Sequence, residues 1–243
     1  MIKVLSEITS SLNKDSLVVS IAAGITLDQL ARALGHDRKI IRAMPNTPAL
    51  VNAGMTSVTP NALVTPEDTA DVLNIFRCFG EAEVIAEPMI HPVVGVSGSS
   101  PAYVFMFIEA MADSAVLGGM PRAQAYKFAA QAVMGSAKMV LETGEHPGTL
   151  KDMVCSPGGT TIEAVRVLEE KGFRAAVIEA MTKCMEKSEN SANPDGFCRT
   201  SGRHFGAVTS GFLCFVERQI CRFQPLAIVT HLWIQRRNPH TNP

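Results

Sequence analysis

The stretch Leu17-Val-Val-Ser-Ile-Ala-Ala-Gly24-Ile-Thr-Leu-Asp-Gln-Leu-Ala-Arg-Ala-Leu34-Gly35 predicts a strand followed at once by a helix. The run that ends at Gly24 is short, apolar and rich in β-branched residues, which is typical of a strand buried on both faces. Thr26 is a suitable N-cap for the helix that follows, and Gly35 is the expected stop. The stretch therefore predicts one repeating unit of an α/β fold.

The same alternation of strands and helices extends over residues 1–88. Short apolar runs predict further strands, and amphipathic stripes predict helices. The predicted strands are 39–44, 55–59 and 82–86, and the predicted helices are 3–12 and 67–79. Alternation of this kind indicates an open α/β sheet with crossover helices. We therefore take residues 1–88 as a first domain.

The pattern changes to long helices in the next part of the chain. Pro101–Leu117 and Pro121–Leu141 are helical in pattern, rich in Ala, Gly and Ser, and separated by Gly118-Gly119. Small residues allow neighbouring helices to approach closely, and a helix that is apolar all round needs burial on most sides. We therefore expect residues 89–188 to form an all-helical domain that packs against a second subunit. A monomeric helical domain with a well-covered core is the alternative.

The composition excludes several classes of protein. A net charge of −1 gives no reason to expect nucleic acid or an anionic membrane as partner. No apolar run approaches the roughly 18 residues of a membrane span, and the N-terminus lacks the pattern of a signal peptide. The six cysteines have no CxxC spacing, which favours free thiols in a reducing cytoplasm. The scattered histidines predict no metal site.

The last part of the chain, residues 189–243, differs in composition from everything before it. It holds six arginines and no lysine, five of the eleven phenylalanines and the single tryptophan. It shows no sustained helical or strand period. We interpret it as an atypical tail of foreign or out-of-frame sequence with little tendency to pack, and predict that it is disordered.

A glycine-rich turn before a helix is the strongest candidate for a binding site. The sequence Ser156-Pro-Gly-Gly-Thr-Thr-Ile-Glu163 breaks the preceding structure and starts a helix. Thr160 and Glu163 have the spacing of a capping box. The N–H groups and dipole of a helix N-terminus attract a carboxylate or phosphate, and glycines let the backbone approach it. The alternative is an ordinary capped turn.

These motifs together resemble the pyrroline-5-carboxylate reductase family, most closely its enterobacterial form. The resemblance covers residues 1 to about 188 and is carried by four segments. They are Val19-Ser-Ile-Ala-Ala-Gly24, Arg42-Ala-Met-Pro-Asn-Thr-Pro48, Val96-Ser-Gly-Ser-Ser-Pro-Ala-Tyr103, and the signature Leu150-Lys-Asp with Ser156-Pro-Gly-Gly-Thr-Thr-Ile-Glu-Ala-Val165. The resemblance implies a Rossmann-type NAD(P)-binding domain followed by a helical domain that interlocks in dimers, often assembled further. It also implies a cytoplasmic oxidoreductase that reduces 1-pyrroline-5-carboxylate to L-proline, the last step of proline biosynthesis.

The resemblance also assigns roles to particular residues. The substrate carboxylate is expected to bind Ser156 and the backbone N–H groups of Gly158, Gly159 and Thr160. The Thr161 hydroxyl is expected to hydrogen-bond the ring nitrogen of the substrate and to help deliver its proton. The cofactor is NADPH or NADH, and the residues expected near it are Ala22, Ala23, Gly24 and Asn46. A rigid polar turn is the alternative role for Asn46.

The chain departs from the family at its beginning. Complete members begin with a strand and a GxGxxG turn that hold the adenosine and pyrophosphate, and Met1 corresponds to a position inside that first domain. We therefore keep a second hypothesis, an inactive N-terminally truncated fragment that retains only the oligomerisation domain. A hydroxyacid dehydrogenase is a third, disfavoured because Pro101–Leu117 contains no lysine.

Overall fold

A computed structural model describes residues 12, 13 and 15–192, together with the backbone of residues 227–229. The chain divides into two compact units. One takes in the chain up to Ser99 and again from Cys184, and the other is Ser100–Lys183. This division lies eleven residues beyond the predicted boundary at 88/89, and it assigns the end of the last helix to the first unit. The predicted helix 3–12 lies almost entirely outside the described residues.

The first unit contains a mixed sheet with helices on both faces, so the predicted α/β class is confirmed. The strand order is β4-β3-β2-β1-β5. Neighbouring strands are parallel except for β2 and β3, which are antiparallel because a short 3₁₀ turn, not a crossover helix, connects them. The elements are β1 (Val18–Ser20), α1 (Leu27–Leu34), β2 (Ile40–Met44), a 3₁₀ turn (Thr47–Val51), β3 (Gly54–Pro60), α2 (Pro66–Arg77), β4 (Gly80–Val84) and β5 (Ala227–Val229).

The two helices of the first unit begin where their sequences predict. Thr26 caps α1 and Thr65 caps α2, and each forms a complete capping box with the residue three positions on. Successive residues of β1 point to opposite faces of the sheet. Val18 packs with Leu30 of α1, and Val19 lies in the cluster that contains residues of α2. The strand is therefore buried on both faces, as its composition predicts.

The outer edge of β1 is paired with a strand from the last part of the chain. Val18–Ser20 aligns in parallel with Ala227–Val229, residue against residue. Of the predicted tail 189–243, the structure describes residues 189–192, which are helical, and the backbone of Ala227–Val229, which pairs with the open edge of β1. The rest of the tail lies outside the described residues, so its disorder stays a prediction.

A continuous helical segment follows β4 and changes its helix type along its length. It starts as a 3₁₀ turn (Glu87–Met89), becomes α3 (Ile90–Val93) and then widens into a π-helical turn (Val94–Gly98). Ser99 donates its N–H to the carbonyl oxygen of Val94, five residues back, at 2.8 Å. π turns are rare and often mark functional positions.

The second unit is entirely helical, as predicted. Its helices pack through small residues: only alanines, Ala112 of α4 and Ala125 and Ala129 of α5, are buried there. Many large apolar side chains of this unit stay exposed. The helices are α4 (Ser100–Leu117), α5 (Arg122–Thr143), α6 (Pro147–Val154), α7 (Thr160–Glu170) and α8 (Phe173–Ala192), the last of which ends in the first unit.

One helical stretch corrects the sequence-based statement about membrane spans. Glu87–Leu117 is a 31-residue run that is long and apolar enough to cross a membrane by length and composition. Its mean hydropathy is high enough for a membrane span although a few polar residues interrupt the apolar run. Only 6% of its most apolar part is buried within the described chain. A single helix of this length and composition is weak evidence for a membrane, because helices of soluble proteins share both properties.

Candidate active site

The glycine-rich turn between α6 and α7 folds tightly on itself. Gly159 donates its N–H to the carbonyl oxygen of Ser156 at 3.0 Å. Gly158 has a φ of +65°, in the left-handed region that favours glycine. A Cβ on Gly159 would lie 2.3 Å from Oγ of Ser156, so a side chain there would displace the serine. A Cβ on Gly158 would meet no atom within 4 Å, so open space lies beside that residue.

Helix α7 begins directly after this turn without a side-chain cap. Gly159 is the N-cap residue, and no side chain bonds the free N–H groups of the first turn. The predicted capping box is therefore wrong: Thr160 lies inside the helix at its first position and cannot serve as N-cap. The N–H groups of the first helical turn lack intrahelical partners by geometry. They remain available to an anion.

Arg166 pairs with two of the three carboxylates of α7. Arg166 donates from Nε and Nη2 to the carboxylate of Glu163, at 2.8 to 3.1 Å, and from Nη1 to Glu170 at 2.8 Å. The hydrogen bonds from Arg166 hold the pKa of the Glu163 carboxyl below its ordinary value. Glu163, although in the first turn, is thus engaged by Arg166. Neither side chain occupies the turn at the helix start.

The predicted substrate residues all lie within this one turn. Ser156, Gly158 and Thr160 are exposed, and Gly159 and Thr161 are half-buried. The turn combines backbone N–H groups, hydroxyls and open space, which is what a small carboxylate needs. Chemically, the arrangement can hold a carboxylate by backbone donors and present one hydroxyl to a neighbouring ligand atom.

Three of the four predicted cofactor residues, Ala22, Ala23 and Gly24, lie in the other unit, in the turn that joins β1 to α1, and the fourth, Asn46, follows β2. Ala22 is buried and donates its N–H to Oγ of Ser20 at 3.4 Å. Gly24 has a φ of +76°, and a Cβ placed there would lie 3.8 Å from the carbonyl oxygen of Ser191, an ordinary contact. The turn follows the carboxyl end of β1, where open α/β sheets bind ligands.

Asn46 has both ends of its carboxamide engaged by backbone. Its Nδ2 donates to the carbonyl oxygen of Ser97, in the π turn, at 3.0 Å. Its Oδ1 accepts from the N–H of Met55 at 2.8 Å. These bonds match the rigid polar turn that the sequence left open as an alternative. A contact with cofactor stays a prediction for this residue.

Sequence reasoning missed a buried ion pair beside the β1–α1 turn. Nη1 of Arg42 lies 3.0 Å from Oε1 of Glu87, and the arginine side chain is only 3% exposed. The same Oε1 accepts the N–H of Leu27, the first residue of α1, at 2.8 Å. No local sequence pattern predicts the contact between Glu87 and Leu27, because the two residues are 60 positions apart.

Acidic, histidine and cysteine side chains do not cluster in the described part of the chain. No three of them lie close enough to share a metal ion there. Cys78, Cys155 and Cys184 are free thiols. The absence of a metal site stays a prediction.

A nucleotide-binding type of sheet, followed by helices that carry a glycine-rich turn at a helix start, is typical of the two-domain NAD(P)-linked oxidoreductases. A family model described as pyrroline-5-carboxylate reductase dimerisation matches residues 87–191. The chain is 98% identical over 189 residues to pyrroline-5-carboxylate reductase from Escherichia coli K12, which covers 78% of this chain and 70% of that protein. The chain belongs to the pyrroline-5-carboxylate reductase family.

More distant relatives agree with this assignment. The enzyme of the same name from Arabidopsis thaliana is 45% identical over 186 residues, which covers 76% of this chain and 67% of that protein. The solved structure of the Plasmodium falciparum reductase with NADP bound aligns with a TM-score of 0.74 and 33% identity, over 79% of this chain and 77% of that one. The Coxiella burnetii reductase aligns with a TM-score of 0.75 and 33% identity, over 79% and 72%.

Proposed function

We propose that this chain reduces 1-pyrroline-5-carboxylate to L-proline with NADPH or NADH. Membership of the family supports the reaction, and the NADP bound to the Plasmodium relative supports the cofactor. The observation within this chain that carries the proposal is the uncapped start of α7 beside the open space at Gly158.

The substrate carboxylate binds at the start of α7. The N–H groups of Gly158 and Thr160 have no competing carboxylate cap, and the helix dipole adds a positive field. The N–H of Gly159 already donates to the carbonyl oxygen of Ser156, so the substrate carboxylate shares this donor with that oxygen. Ser156 supplies a hydroxyl donor from the other side of the same turn. Two or more donors on one carboxylate fix both its position and its orientation, which is most of what a reduction requires of the protein.

Thr161 holds the proton that the reaction needs at nitrogen. The imine carbon gains a hydride and the ring nitrogen gains a proton, so a donor beside the nitrogen completes the change. Thr161 is half-buried at the second position of α7, next to the carboxylate donors. Its hydroxyl orients the ring nitrogen and passes on a proton from solvent.

The β1–α1 turn holds the nicotinamide end of the cofactor, which supplies the hydride when bound. Ala22, Ala23 and Gly24 fit a flat ring because they present backbone and methyl groups only. Gly24 adopts a left-handed conformation that side chains rarely take, so the turn stays narrow at that point. Asn46 supports the neighbouring loop through its bonds to Met55 and Ser97.

The helical unit forms a homodimer, with further assembly open, and the protein works in the cytoplasm. Phe105, Met106 and Phe128 are each at least 64% exposed within the described chain. Exposed large apolar side chains in this number are typical of an interface. The family model that covers this part of the chain describes dimerisation.

Ligand titrations of the full chain test the proposal. NADPH and L-proline are titrated separately by calorimetry, and reduction of 1-pyrroline-5-carboxylate is followed by NADPH absorbance. Gly158→Ala is compared with Gly172→Ala, because both glycines have a positive φ, +65° and +72°, and open space around an added Cβ. Both variants therefore carry a similar backbone cost of about 1 kcal/mol.

Gly158→Ala is expected to weaken proline binding by at least about tenfold, because its methyl group and strained backbone disturb the carboxylate donors. Gly172→Ala is expected to bind proline as the wild type does. Equal effects of the two substitutions would contradict the carboxylate site. Saturable proline binding without any NADPH binding or turnover would favour the inactive fragment over the reductase.

A further inference from the structure

We propose that Arg42 and Glu87 form a positioning pair that holds the β1–α1 turn in shape for the nicotinamide. The inference rests on the proposed function of that turn. Neither residue is placed against substrate or cofactor, so both act through the backbone that they hold. The pair joins three elements of the first unit: β2, the start of α1, and the first residue of the helical segment that leaves the sheet.

Glu87 acts as the anion at the start of α1. Its Oε1 accepts the N–H of Leu27, the first residue of the helix, at 2.8 Å. A carboxylate at a helix N-terminus is favoured by the dipole and satisfies a donor that the helix itself leaves free. The Thr26 capping box engages a further donor, the N–H of Gln29, two residues on. Two of the free donors at this helix start are therefore engaged by side chains, and a cofactor phosphate would have to compete with Glu87 for the N–H of Leu27.

Arg42 keeps Glu87 in this position. The guanidinium is 3% exposed and reaches Oε1 of Glu87 from the middle of β2 at 3.0 Å. Its Nε finds no partner among the described residues, nor do the nearby hydroxyls of Ser57 and Thr59. A buried cation with so few partners depends strongly on its carboxylate. Arg42 therefore fixes Glu87, and Glu87 fixes Leu27.

The turn is short enough for these anchors to control it. Its first end is held by the bond from the Ala22 N–H to Oγ of Ser20, in β1. Ser20 lies directly opposite Arg42 in the parallel register of β1 and β2. Its second end is Leu27, held by Glu87. Arg42 thus sits beside one anchor of the turn and is bonded to the other.

Amide hydrogen exchange of the full chain by NMR tests this inference without cofactor. The readout is the exchange of the buried turn residues Ala22 and Ile25, divided by exchange of the core residue Val72. The ratio cancels a uniform loss of stability. The central variant is R42M/E87A, which removes both charges and leaves no unpaired ion. R42M/E87Q restores an oxygen that can accept from Leu27, and Lys39→Met removes a different half-buried pair, Lys39–Asp68, in the same unit.

The expected result is an exchange ratio at least about tenfold higher in R42M/E87A than in the wild type, since a bond to a charged group is lost. In R42M/E87Q the exchange ratio should fall most of the way back to the wild-type value. Lys39→Met should leave the ratio unchanged. The affinity for NADPH should fall in the same order. An unchanged ratio in R42M/E87A would overturn the inference and show that the pair only adds stability. Wild-type chain that fails to bind NADPH would contradict the proposed function, while the exchange ratio would still decide the role of the pair.

Discussion

Two adjacent glycines in the candidate active site are needed for different physical reasons. Gly158 is required by conformation, because its φ of +65° is rarely adopted by other residues. Gly159 is favoured by space, because a Cβ would lie 2.3 Å from Oγ of Ser156, which would have to rotate away, and 3.1 Å from the carbonyl oxygen of the same residue. The open side of Gly158 is the side on which a ligand can approach the backbone. The turn therefore leaves no room for a side chain at Gly159 without moving Ser156, and it leaves open space for a ligand beside Gly158.

Thr161→Ala is expected to lower the kcat for proline formation by about a hundredfold, the usual contribution of a positioned proton donor. Folding should change little, since the side chain is only half-buried. Steady-state kinetics and urea unfolding measure the two effects. Thr182→Ala is the matched control, because the Thr182 hydroxyl only bonds the carbonyl oxygen of Ile178 in its own helix. If Thr161→Ala and Thr182→Ala have the same kcat, Thr161 has no role in the mechanism.

Among the described helices, α1, α2 and α6 start with a side-chain cap, whereas α3, α5 and α7 do not. Both α1 and α2 begin with full capping boxes, and α1 has Glu87 in addition. The start of α7 has a glycine N-cap and no side-chain bond. Caps stabilise a helix by about 1 kcal/mol each, so an uncapped start gives up stability that a bound carboxylate can restore.

The cap of α2 predicts a pH-dependent stability. Asp68 accepts from Nζ of Lys39 at 2.8 Å and from the N–H of Thr65 at 3.0 Å. The bond from Lys39 above all lowers the pKa of the Asp68 carboxyl below its ordinary 3.8. A lowered folded-state pKa gives stability that is present above the unfolded value and is lost as the pH falls through the folded one.

Asp68→Asn should therefore lower the free energy of unfolding at pH 7 by about 1–2 kcal/mol, the sum of a cap bond and a half-exposed ion pair. The difference from the wild type should shrink as the pH drops below about 4. Urea unfolding at several pH values measures it. Asp71→Asn, an exposed position of the same helix, is the control. A difference that stays constant down to pH 3 would show that the charge of Asp68 does not contribute.

At the scale of the whole molecule, the helical unit is covered by too little of its own chain. Its buried side chains in the described structure are alanines, while phenylalanine, methionine and leucine side chains face outwards. The apolar stretch Glu87–Leu117 has the same property, with 6% of its most apolar window buried. The proposed homodimer would remove this surface from water at a gain of roughly 25 cal/mol per Å².

Met106→Glu is expected to shift the protein from dimer toward monomer, because a charge replaces a side chain that is 68% exposed on α4 within one chain. Light scattering after size exclusion measures the mass. Val51→Glu is the control: Val51 is 75% exposed but lies in the first unit, outside the segment that the dimerisation model matches. Equal masses for both variants and the wild type would place the interface elsewhere.

Local patterns in the sequence were sufficient for much of the fold. The cap at Thr26 is confirmed, and the two small-residue helices are confirmed within two residues of their predicted bounds. The strand before Gly24 is also confirmed, although it ends at Ser20, three residues earlier than predicted. The sequence also predicted the glycine-rich turn and the helix that follows it. These features depend on hydrogen bonds and packing between residues a few positions apart, and such interactions leave a short-range pattern.

The tertiary structure decided the features that join distant parts of the chain. The spacing of Thr160 and Glu163 fits a capping box, but the helix starts one residue too early for it. The antiparallel pairing of β2 with β3, and the use of Glu87 as the cap of a helix 60 residues earlier, have no local signal. The partner of a carboxylate such as Glu87 is set by the packing of whole elements. The two charged groups need each other only once the fold has buried them side by side.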